Sequence, residues 1–482
     1  MLRRTKIVAT LGPATDSVES LEAIIKAGVD VVRLNFSHGE SEDHIQRAER
    51  VREVADRLGR FVAVMADLQG PKIRIARFSC DKIILKVGDI FTLDTRLDAN
   101  EGSQSAVGID HEAVIQDSHP GDILLLDDGR IEFLVKSNDG IRIECEVLIG
   151  GVLSNNKGIN KKGGGLSADA LTAKDKADIK VAARFDADYV AVSFPRDASD
   201  MNEARALLSA AGSDAGLVAK IERAELIEDY EMLDDVIRAS NGVMVARGDL
   251  AVEIGDAELV AVQKHIIQRA RALNRVVITA TQMMESMITS PMPTRAEVSD
   301  VANAVIDGTD AVMLSAETAV GEYPVEVIEA MDRICMGAER SLTTQVSKHR
   351  MHESFEKIDE SIALSAMYAA NHLIGVKAIV TMTETGATPL LMSRIRSKLP
   401  IYSFSGLLHT QRRMALYRGV QTIPFNADDV ENEEVNRFAI NMLLEKKVVE
   451  DGDLVILTKG DYVNAQGGTN TMKVLKVGDD IQ

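Results

Sequence analysis

Cysteine is scarce, a basic excess is missing, and no long apolar run occurs. Each absence removes a class of protein. The 482 residues hold 3 cysteines, Cys80, Cys145 and Cys335, widely separated and odd in number. They make no CxxC pair and no zinc-ligand spacing, so a disulfide framework is excluded and a reduced, cytoplasmic chain is expected. Lys plus Arg number 55 against 74 Asp plus Glu, a formal charge of −19. So acidic a chain suits neither nucleic acid nor an anionic membrane surface, and neither partner is expected. A local basic cluster can still hold a small anion. No stretch approaches the roughly 18 apolar residues of a membrane span. The basic start, Arg3-Arg4-Thr5-Lys6, is followed too soon by Gly12-Pro13 to be read as a secretory signal. Low-complexity segments are also missing.

What is present is ordinary for a globular protein: 45% apolar and 27% charged residues. At roughly 100–200 residues per domain, the length predicts about three domains. Over 1–70, short apolar runs alternate with helical patterns. Lys6–Thr10, Val31–Phe36 and Phe61–Asp67 read as strands. Ser20–Lys26 and Glu42–Leu58 read as helices ending at Gly28 and Gly59. That is the βαβ pattern of a parallel sheet. Between 71 and 168 the character changes. Ile73–Ile75, Lys82–Val87, Ile123–Leu126, Ile131–Val135 and Ile141–Val147 read as strands separated by Gly-Asp, Asp-Gly and Asn-Asp-Gly turns. An all-β domain is inserted here, with Gly150-Gly151 and Gly163-Gly164-Gly165 as hinge material.

The βα alternation resumes from 169 to 340, with strands beginning near Tyr189, Leu217, Val243, Val276 and Ala311. Three strands before the insertion and five after it predict a (β/α)8 TIM barrel interrupted by a β lid. An open doubly wound sheet is the alternative. Residues 341–357 read as a polar linker. Residues 358–482 read as a third, α/β domain.

Barrel enzymes place their chemistry at the C-terminal ends of the strands. There the sequence delivers Arg33, Asn35, Ser37 and His38, then Asp67, Gln69 and Lys72, then Lys220 and Glu222. Arg247, Gly248 and Asp249 follow, then Thr279, Thr281, Gln282 and Glu285, and finally Ser315 and Glu317. Lys220 and Glu222, two apart in a strand, share a face. Carboxylates gathered with Arg and Lys suit a hard cation, Mg²⁺, together with a phosphate. Met283, Met284 and Met287 read as packing, and Lys161-Lys162-Gly163 as a solvated hinge.

Val32-Arg-Leu-Asn-Phe-Ser-His-Gly39, Lys220-Ile-Glu222, Met244-Val-Ala-Arg-Gly-Asp-Leu250, Thr279-Ala-Thr-Gln-Met-Met-Glu-Ser286, Pro293-Thr-Arg-Ala-Glu297 and Leu314-Ser-Ala-Glu-Thr318 resemble, in this order, the motif set of the pyruvate kinase family. The resemblance covers essentially the whole chain. It implies phosphoryl transfer from phosphoenolpyruvate to ADP, giving pyruvate and ATP in the last step of glycolysis. Glu222 and Asp249 match the ligands of Mg²⁺ (or Mn²⁺). Lys220 and Arg33 match the cations on the transferred phosphoryl group. Ala246, Arg247, Gly248 and Asp249 match a helix start whose N–H groups hold the substrate carboxylate. Thr281 matches a threonine near the enolate carbon. Asn35, His38, Arg74 and Lys157 match the nucleotide side, and the β domain a lid. The family also implies a homotetramer.

One departure stands out. Family members that bind K⁺ do so through groups matching Asn35, Ser37, Asp67 and the carbonyl of Leu68, and carry Glu where this chain has Lys72. The Lys72 ammonium is expected to stand in for K⁺, so that activity needs little monovalent cation. In the C-terminal domain, Thr381-Met-Thr-Glu-Thr-Gly-Ala-Thr388 resembles the family's effector loop. Thr383, Thr385, Gly386 and Thr388 would take a phosphorylated activator, faced by a second loop from Lys459 to Thr469. Two rival readings are a metal-dependent aldolase on a barrel and a catalytically silent sensor. The first leaves the β insertion unexplained, and the second leaves Lys220, Glu222, Asp249 and Arg33 without a purpose.

Overall fold

The computed structural model describes residues 2–109, 111–345, 351, 353–426, 430–431, 434–460 and 468–479. Three short strands open the chain, β1 (Lys6–Thr10), β2 (Val31–Asn35) and β3 (Ala63–Asp67). The inserted domain follows with β4 (Lys82–Leu85), β5 (Ile90–Asp94), β6 (Ala106–Gly108), β7 (Ile123–Leu126), β8 (Ile131–Asn138), β9 (Arg142–Ile149), β10 (Gly151–Ser154) and β11 (Ile159–Lys161). Then come β12 (Tyr189–Val192), β13 (Gly216–Ile221), β14 (Gly242–Ala246), β15 (Val276–Ala280) and β16 (Ala311–Leu314). The last domain holds β17 (Val376–Met382), β18 (Ile401–Ser405), β19 (Val420–Pro424), β20 (Leu454–Gly460) and β21 (Thr469–Lys476).

The first three strands and the five from β12 to β16 close on themselves in the order β1-β16-β15-β14-β13-β12-β3-β2, every pair parallel. The open doubly wound sheet is thereby excluded. Both faces of each strand are buried. Val8, Val31, Met65, Val218 and Met244 point into the barrel. Their neighbours Ile7, Ala9, Val32, Leu34 and Val64 point out against the helices. This is why the runs read as continuously apolar rather than alternating. Each such side chain fully buried contributes roughly 1.5–3 kcal/mol.

The helix boundaries follow local chemistry. The helix Val18–Ala27 starts two residues before the expected Ser20, because Ser17 Oγ accepts the Ser20 N–H at 3.1 Å. The Pro-Thr-Arg-Ala-Glu run builds a capping box on the helix Arg295–Asp307. Thr294 Oγ1 accepts the Glu297 N–H at 3.2 Å, and Glu297 Oε2 accepts the Thr294 N–H at 2.7 Å. Glu297 also accepts the Ser286 N–H at 2.7 Å, which ties this helix to the turn after β15.

The inserted domain is all-β apart from one short helix, Glu112–Asp117. A six-stranded sheet, β11-β7-β8-β9-β5-β6, and the pair β10-β4 enclose a core containing Phe91 and Phe133. Two expectations are corrected here. Ile73–Ile75 makes only isolated bridges, Arg74 with Gly158 and Ile75 with Ile109. Gly150-Gly151 is no hinge. Gly151 opens β10 against Leu85, and a Cβ on Gly150 would lie 2.3 Å from the Leu85 carbonyl oxygen, so the glycine is required by close backbone approach. The hinge-like glycines are Gly163, Gly164 and Gly165, with φ of 80°, 77° and 88°.

The third domain is an α/β sheet, β19-β18-β17-β20-β21, parallel except for β21. It packs on the N-terminal end of the barrel, opposite the lid. Tyr189 at the start of β12 donates to the Arg413 carbonyl at 2.8 Å, and Lys6 to the Val420 carbonyl at 2.8 Å. Asp310 forms a fully buried pair with Arg394. Removing one partner of such a pair costs about 3–5 kcal/mol. The segment expected as a polar linker carries a short turn, Leu342–Thr344, with Thr344 buried, while 346–350 and 352 lie outside the described residues.

Candidate active site

The C-terminal ends of β2, β3, β12 and β13 converge on one ammonium group. Lys220 and Glu222 project from the same face of the β13 end. Lys220 Nζ lies 2.9 Å from Glu222 Oε1 and 3.4 Å from Asp67 Oδ1, and donates to Ser193 Oγ at 2.6 Å. Arg33 Nε donates to Asp67 Oδ2 at 2.5 Å, and its Nη1 to Thr10 Oγ1 at 3.1 Å. The second oxygen of Glu222 accepts the Phe194 N–H at 2.8 Å.

Burial opposes every charge here, and the neighbours decide the outcome. For Lys220, burial is outweighed by Asp67 and Glu222, and its pKa is raised. For Asp67, burial is outweighed by Arg33 and Lys220, and its pKa is lowered. Glu222 is pushed up to about 7, because burial and the nearby Asp249 outweigh Lys220. The site is therefore short of positive charge around Glu222.

That shortage matches a cation. Asp67 Oδ1 and Glu222 Oε1 are buried with the Lys220 ammonium as their shared cationic neighbour at 3.4 and 2.9 Å, and no aligned hydrogen bond reaches either. Among the described residues no three His, Cys, Asp or Glu converge as a ready metal cage. The protein side offers the two carboxylates Glu222 and Asp249, and a hard cation held by them would have to complete its shell with oxygens from water or a bound molecule.

β14 ends at Ala246 and the helix Arg247–Ile254 begins at once. The Gly248 N–H donates to Thr281 Oγ1 at 2.8 Å, and that hydroxyl donates to the Ala280 carbonyl at 2.6 Å. Thr281 and Gln282 have φ of 67° and 53°, a conformation that strains a β-branched residue by about 1–3 kcal/mol. Arg247 holds the turn in place: its side chain donates to the Thr281 carbonyl at 2.6 Å and pairs with Asp300 at 2.8 Å. The Arg247 guanidinium thus braces the turn, and what this residue turns to the site is backbone.

Other strand-end residues stand apart from this centre. Thr279 is buried against Thr309 at 3.0 Å, and Glu285 is exposed. Glu317 braces the Met284 and Ser315 N–H groups at 3.2 and 2.6 Å. Met283, Met284 and Met287 are fully buried in the core. In the loop after β2, Asn35 Oδ1 accepts the Ser37 N–H at 3.1 Å, and the His38 side chain is exposed. The Leu68 carbonyl accepts Ser193 Oγ at 2.7 Å.

A cleft of about 620 Å³ separates lid and barrel, lined in part by Lys72, Asp128, Lys162, Gly248, Asp249 and Gln282. Lys72 Nζ lies 3.6 Å from Asp249 Oδ1. Lys162 is exposed and lines this cleft, and Lys161 is held by Asp122 at 2.9 Å. Arg74 and Lys157 are engaged within the lid, on the Asn156 carbonyl at 2.9 Å and on Asp127 at 2.5 Å.

In the C-terminal domain, Thr383 Oγ1 accepts the Gly386 N–H at 3.0 Å and Thr385 Oγ1 the Ala387 N–H at 3.4 Å. Thr388 is buried, its hydroxyl 2.6 Å from that of Thr469. Of the facing loop, residues 461–467 lie outside the described residues. Two residues at the centre escaped the strand-end reading, Thr10 at the end of β1 and Ser193 after β12. The rule that found the others finds these as well, once applied to all eight strands.

Comparison with known proteins places this geometry. Residues 2–328 match the family model "Pyruvate kinase, barrel domain", and residues 360–475 match "Pyruvate kinase, alpha/beta domain". The chain is 59% identical to pyruvate kinase II of Salmonella typhimurium over 478 residues, covering 99% of both. It is 59% identical to a pyruvate kinase of Haemophilus influenzae over 470 residues, covering 98% of this chain and 97% of the other. A crystal structure of a pyruvate kinase from Cryptosporidium parvum superposes with a TM-score of 0.92 at 33% identity, covering 98% of this chain and 96% of that one.

Proposed function

The chain belongs to the pyruvate kinase family, and from that premise we propose how its strand-end residues divide the labour. The reaction moves the phosphoryl group of phosphoenolpyruvate to ADP, giving pyruvate and ATP. The observation that carries the assignment of roles is the Lys220 ammonium held between Glu222 and Asp67, 2.9 and 3.4 Å from one buried oxygen of each carboxylate.

Phosphoryl transfer offers a protein little covalent work. Positioning and charge stabilisation do most of it. Lys220 and Arg33 neutralise charge on the transferred group. Glu222 and Asp249 hold Mg²⁺ (or Mn²⁺), which supplies further charge neutralisation when bound. The backbone N–H groups from Ala246 to Asp249 take the substrate carboxylate at the start of their helix. For Gly248 to do so, Thr281 Oγ1 must give up or share its N–H. That same hydroxyl, next to the reacting carbon, is placed to hold a proton. Asn35, Ser37 and His38 lie on the nucleotide side. Arg74 and Lys157 leave their lid partners for the phosphates when the lid closes and expels water.

K⁺ is the second element of this reading. The Arg33–Asp67 pair and the engaged Leu68 carbonyl leave few free oxygens near Asn35 and Ser37, and Lys72 adds a fixed charge at the rim beside Asp249. Activity then needs little K⁺. Thr383, Thr385, Gly386 and Thr388 take a phosphorylated effector, and the triple alanine variant of the three threonines loses the effector response. A retained response would place the effector elsewhere. A cytoplasmic homotetramer completes the reading.

The experiment is ATP formation from phosphoenolpyruvate and ADP with Mg²⁺, run with and without K⁺ in a bulky-cation buffer. Robust formation in both supports the whole reading. Formation only with K⁺ removes the role of Lys72. No formation without Mg²⁺ or Mn²⁺ is expected, and its persistence would remove Glu222 and Asp249 as metal ligands.

A further inference from the structure

One buried titratable group has no part in the chemistry above. His44 lies in the first turn of the helix Ser41–Arg57 and is 2% exposed. Its ring stacks on Phe36, centroids 4.1 Å apart at 16°. Its Nε2 lies 3.0 Å from the His38 carbonyl oxygen, while its Nδ1 is buried without a hydrogen bond. A carbonyl can only accept, so the network assigns the neutral tautomer with the proton on Nε2. Burial, helped by Arg47 and Lys174, lowers the His44 pKa and keeps the ring neutral.

From this geometry we infer that His44 is a positioning residue for the nucleotide, fixing the loop that carries Asn35, Ser37 and His38. The inference rests on the nucleotide-side reading of that loop. The loop's inner face is tied by its own backbone: the Phe36 N–H donates to the Asp67 carbonyl at 2.9 Å, and the His38 N–H to the Asn35 carbonyl at 3.2 Å. Its outer face has two supports, Lys174 Nζ on the Phe36 carbonyl at 2.7 Å and His44 on the His38 carbonyl. Gly39, at φ 80°, follows directly and lets the chain turn back to the helix. His44 therefore grips the exposed His38 by its backbone, leaving the His38 side chain free to meet a ligand. A phenylalanine in this place would fill the same space without leaving Nδ1 unsatisfied. The imidazole is justified by the bond it donates.

Two variants of the full chain separate the stack from the bond. His44→Phe keeps the stack and lacks the donor. His44→Gln carries a side-chain N–H with similar reach. Loss of one such bond predicts a rise of roughly 3- to 10-fold in the KM for ADP in His44→Phe. Its KM for phosphoenolpyruvate stays native, and His44→Gln stays near native in both. Hydrogen exchange read by mass spectrometry should speed up at the 37–40 amides in His44→Phe and not in His44→Gln. The inference is overturned by equal changes in both KM values, by His44→Gln failing like His44→Phe, or by unchanged loop exchange in His44→Phe. Asn35→Ala is the control for the underlying reading. A native KM for ADP in that variant removes the loop from the nucleotide side, whatever His44 does to its exchange.

Discussion

Lys220 and Glu222 leave one strand on the same face, and their charged ends meet at 2.9 Å. The ammonium is shared with Asp67 at 3.4 Å, so it is held at a fixed point between two carboxylates, with its side chain 12% exposed. A group so placed needs no reorganisation when charge builds on a neighbouring phosphoryl oxygen, and such preorganised charge is worth most in a dry site. Lys220→Met should therefore lower kcat by on the order of 10³-fold or more. Binding of Mg²⁺ and phosphoenolpyruvate should survive, read as a ligand-induced rise in melting temperature. Turnover near native in this variant would remove Lys220 from the transfer step.

Ser193 links that ammonium to the barrel. Its hydroxyl accepts from Lys220 at 2.6 Å and donates to the Leu68 carbonyl at 2.7 Å. Ser193→Ala cuts both bonds at no cost in volume elsewhere. We expect kcat to fall roughly 10-fold, the equivalent of one charge-assisted hydrogen bond, with little change in the KM for ADP. A native kcat would mean that Glu222 and Asp67 alone fix the ammonium.

Lys72 stands at the mouth of the cleft, 3.6 Å from Asp249 and one-third exposed. Its contribution is a placed positive charge, screened in part by solvent. Replacing it by Glu inverts that charge. Lys72→Glu should lose most activity in a bulky-cation buffer and regain it on adding K⁺, while the parent responds little. If the parent itself rises many-fold with K⁺, the substitution argument falls.

The barrel was legible because its signal is local and repeated. Each strand is an apolar run ended by Gly, Asp or a polar pair, and β1, β2, β3 and β12 to β16 fell within a residue or two of expectation. The lid was less legible. Its strands β5, β6, β10 and β11 are only three to five residues long, and only pairing with partners along the chain makes them strands. Gly150-Gly151 misled for the same reason: a glycine demanded by a neighbouring backbone looks like one that confers freedom. At the site, the sequence placed Lys220, Glu222, Asp67 and Arg33 at strand ends, and these do meet. It could not tell that the Arg247 side chain turns under the 280–283 turn to Asp300, because the direction of a long side chain depends on tertiary partners.

Glu253 ties the lid to the strand that bears Glu222, and its titration should be visible in stability. It is 7% exposed, accepts the Ala224 N–H at 2.8 Å, and receives the Asn160 side chain from β11. Its own carbonyl accepts the Gly163 N–H at 3.0 Å. Burial, with Glu225 adding repulsion, pushes its pKa up from 4.5 to about 7 against the pull of Arg223. The folded state therefore holds the proton more tightly than the unfolded chain. That contribution is fully present below pH 4.5 and is lost as the pH rises through about 7. Above that, an ionised carboxylate stays buried at a cost on the order of 2 kcal/mol. Glu253→Gln is neutral at every pH and can make the same two side-chain contacts. It should unfold with the parent at pH 5 and at higher urea than the parent at pH 8. A difference that does not change between those two pH values would mean that Glu253 keeps an ordinary carboxylate pKa and that the lid junction is indifferent to its charge.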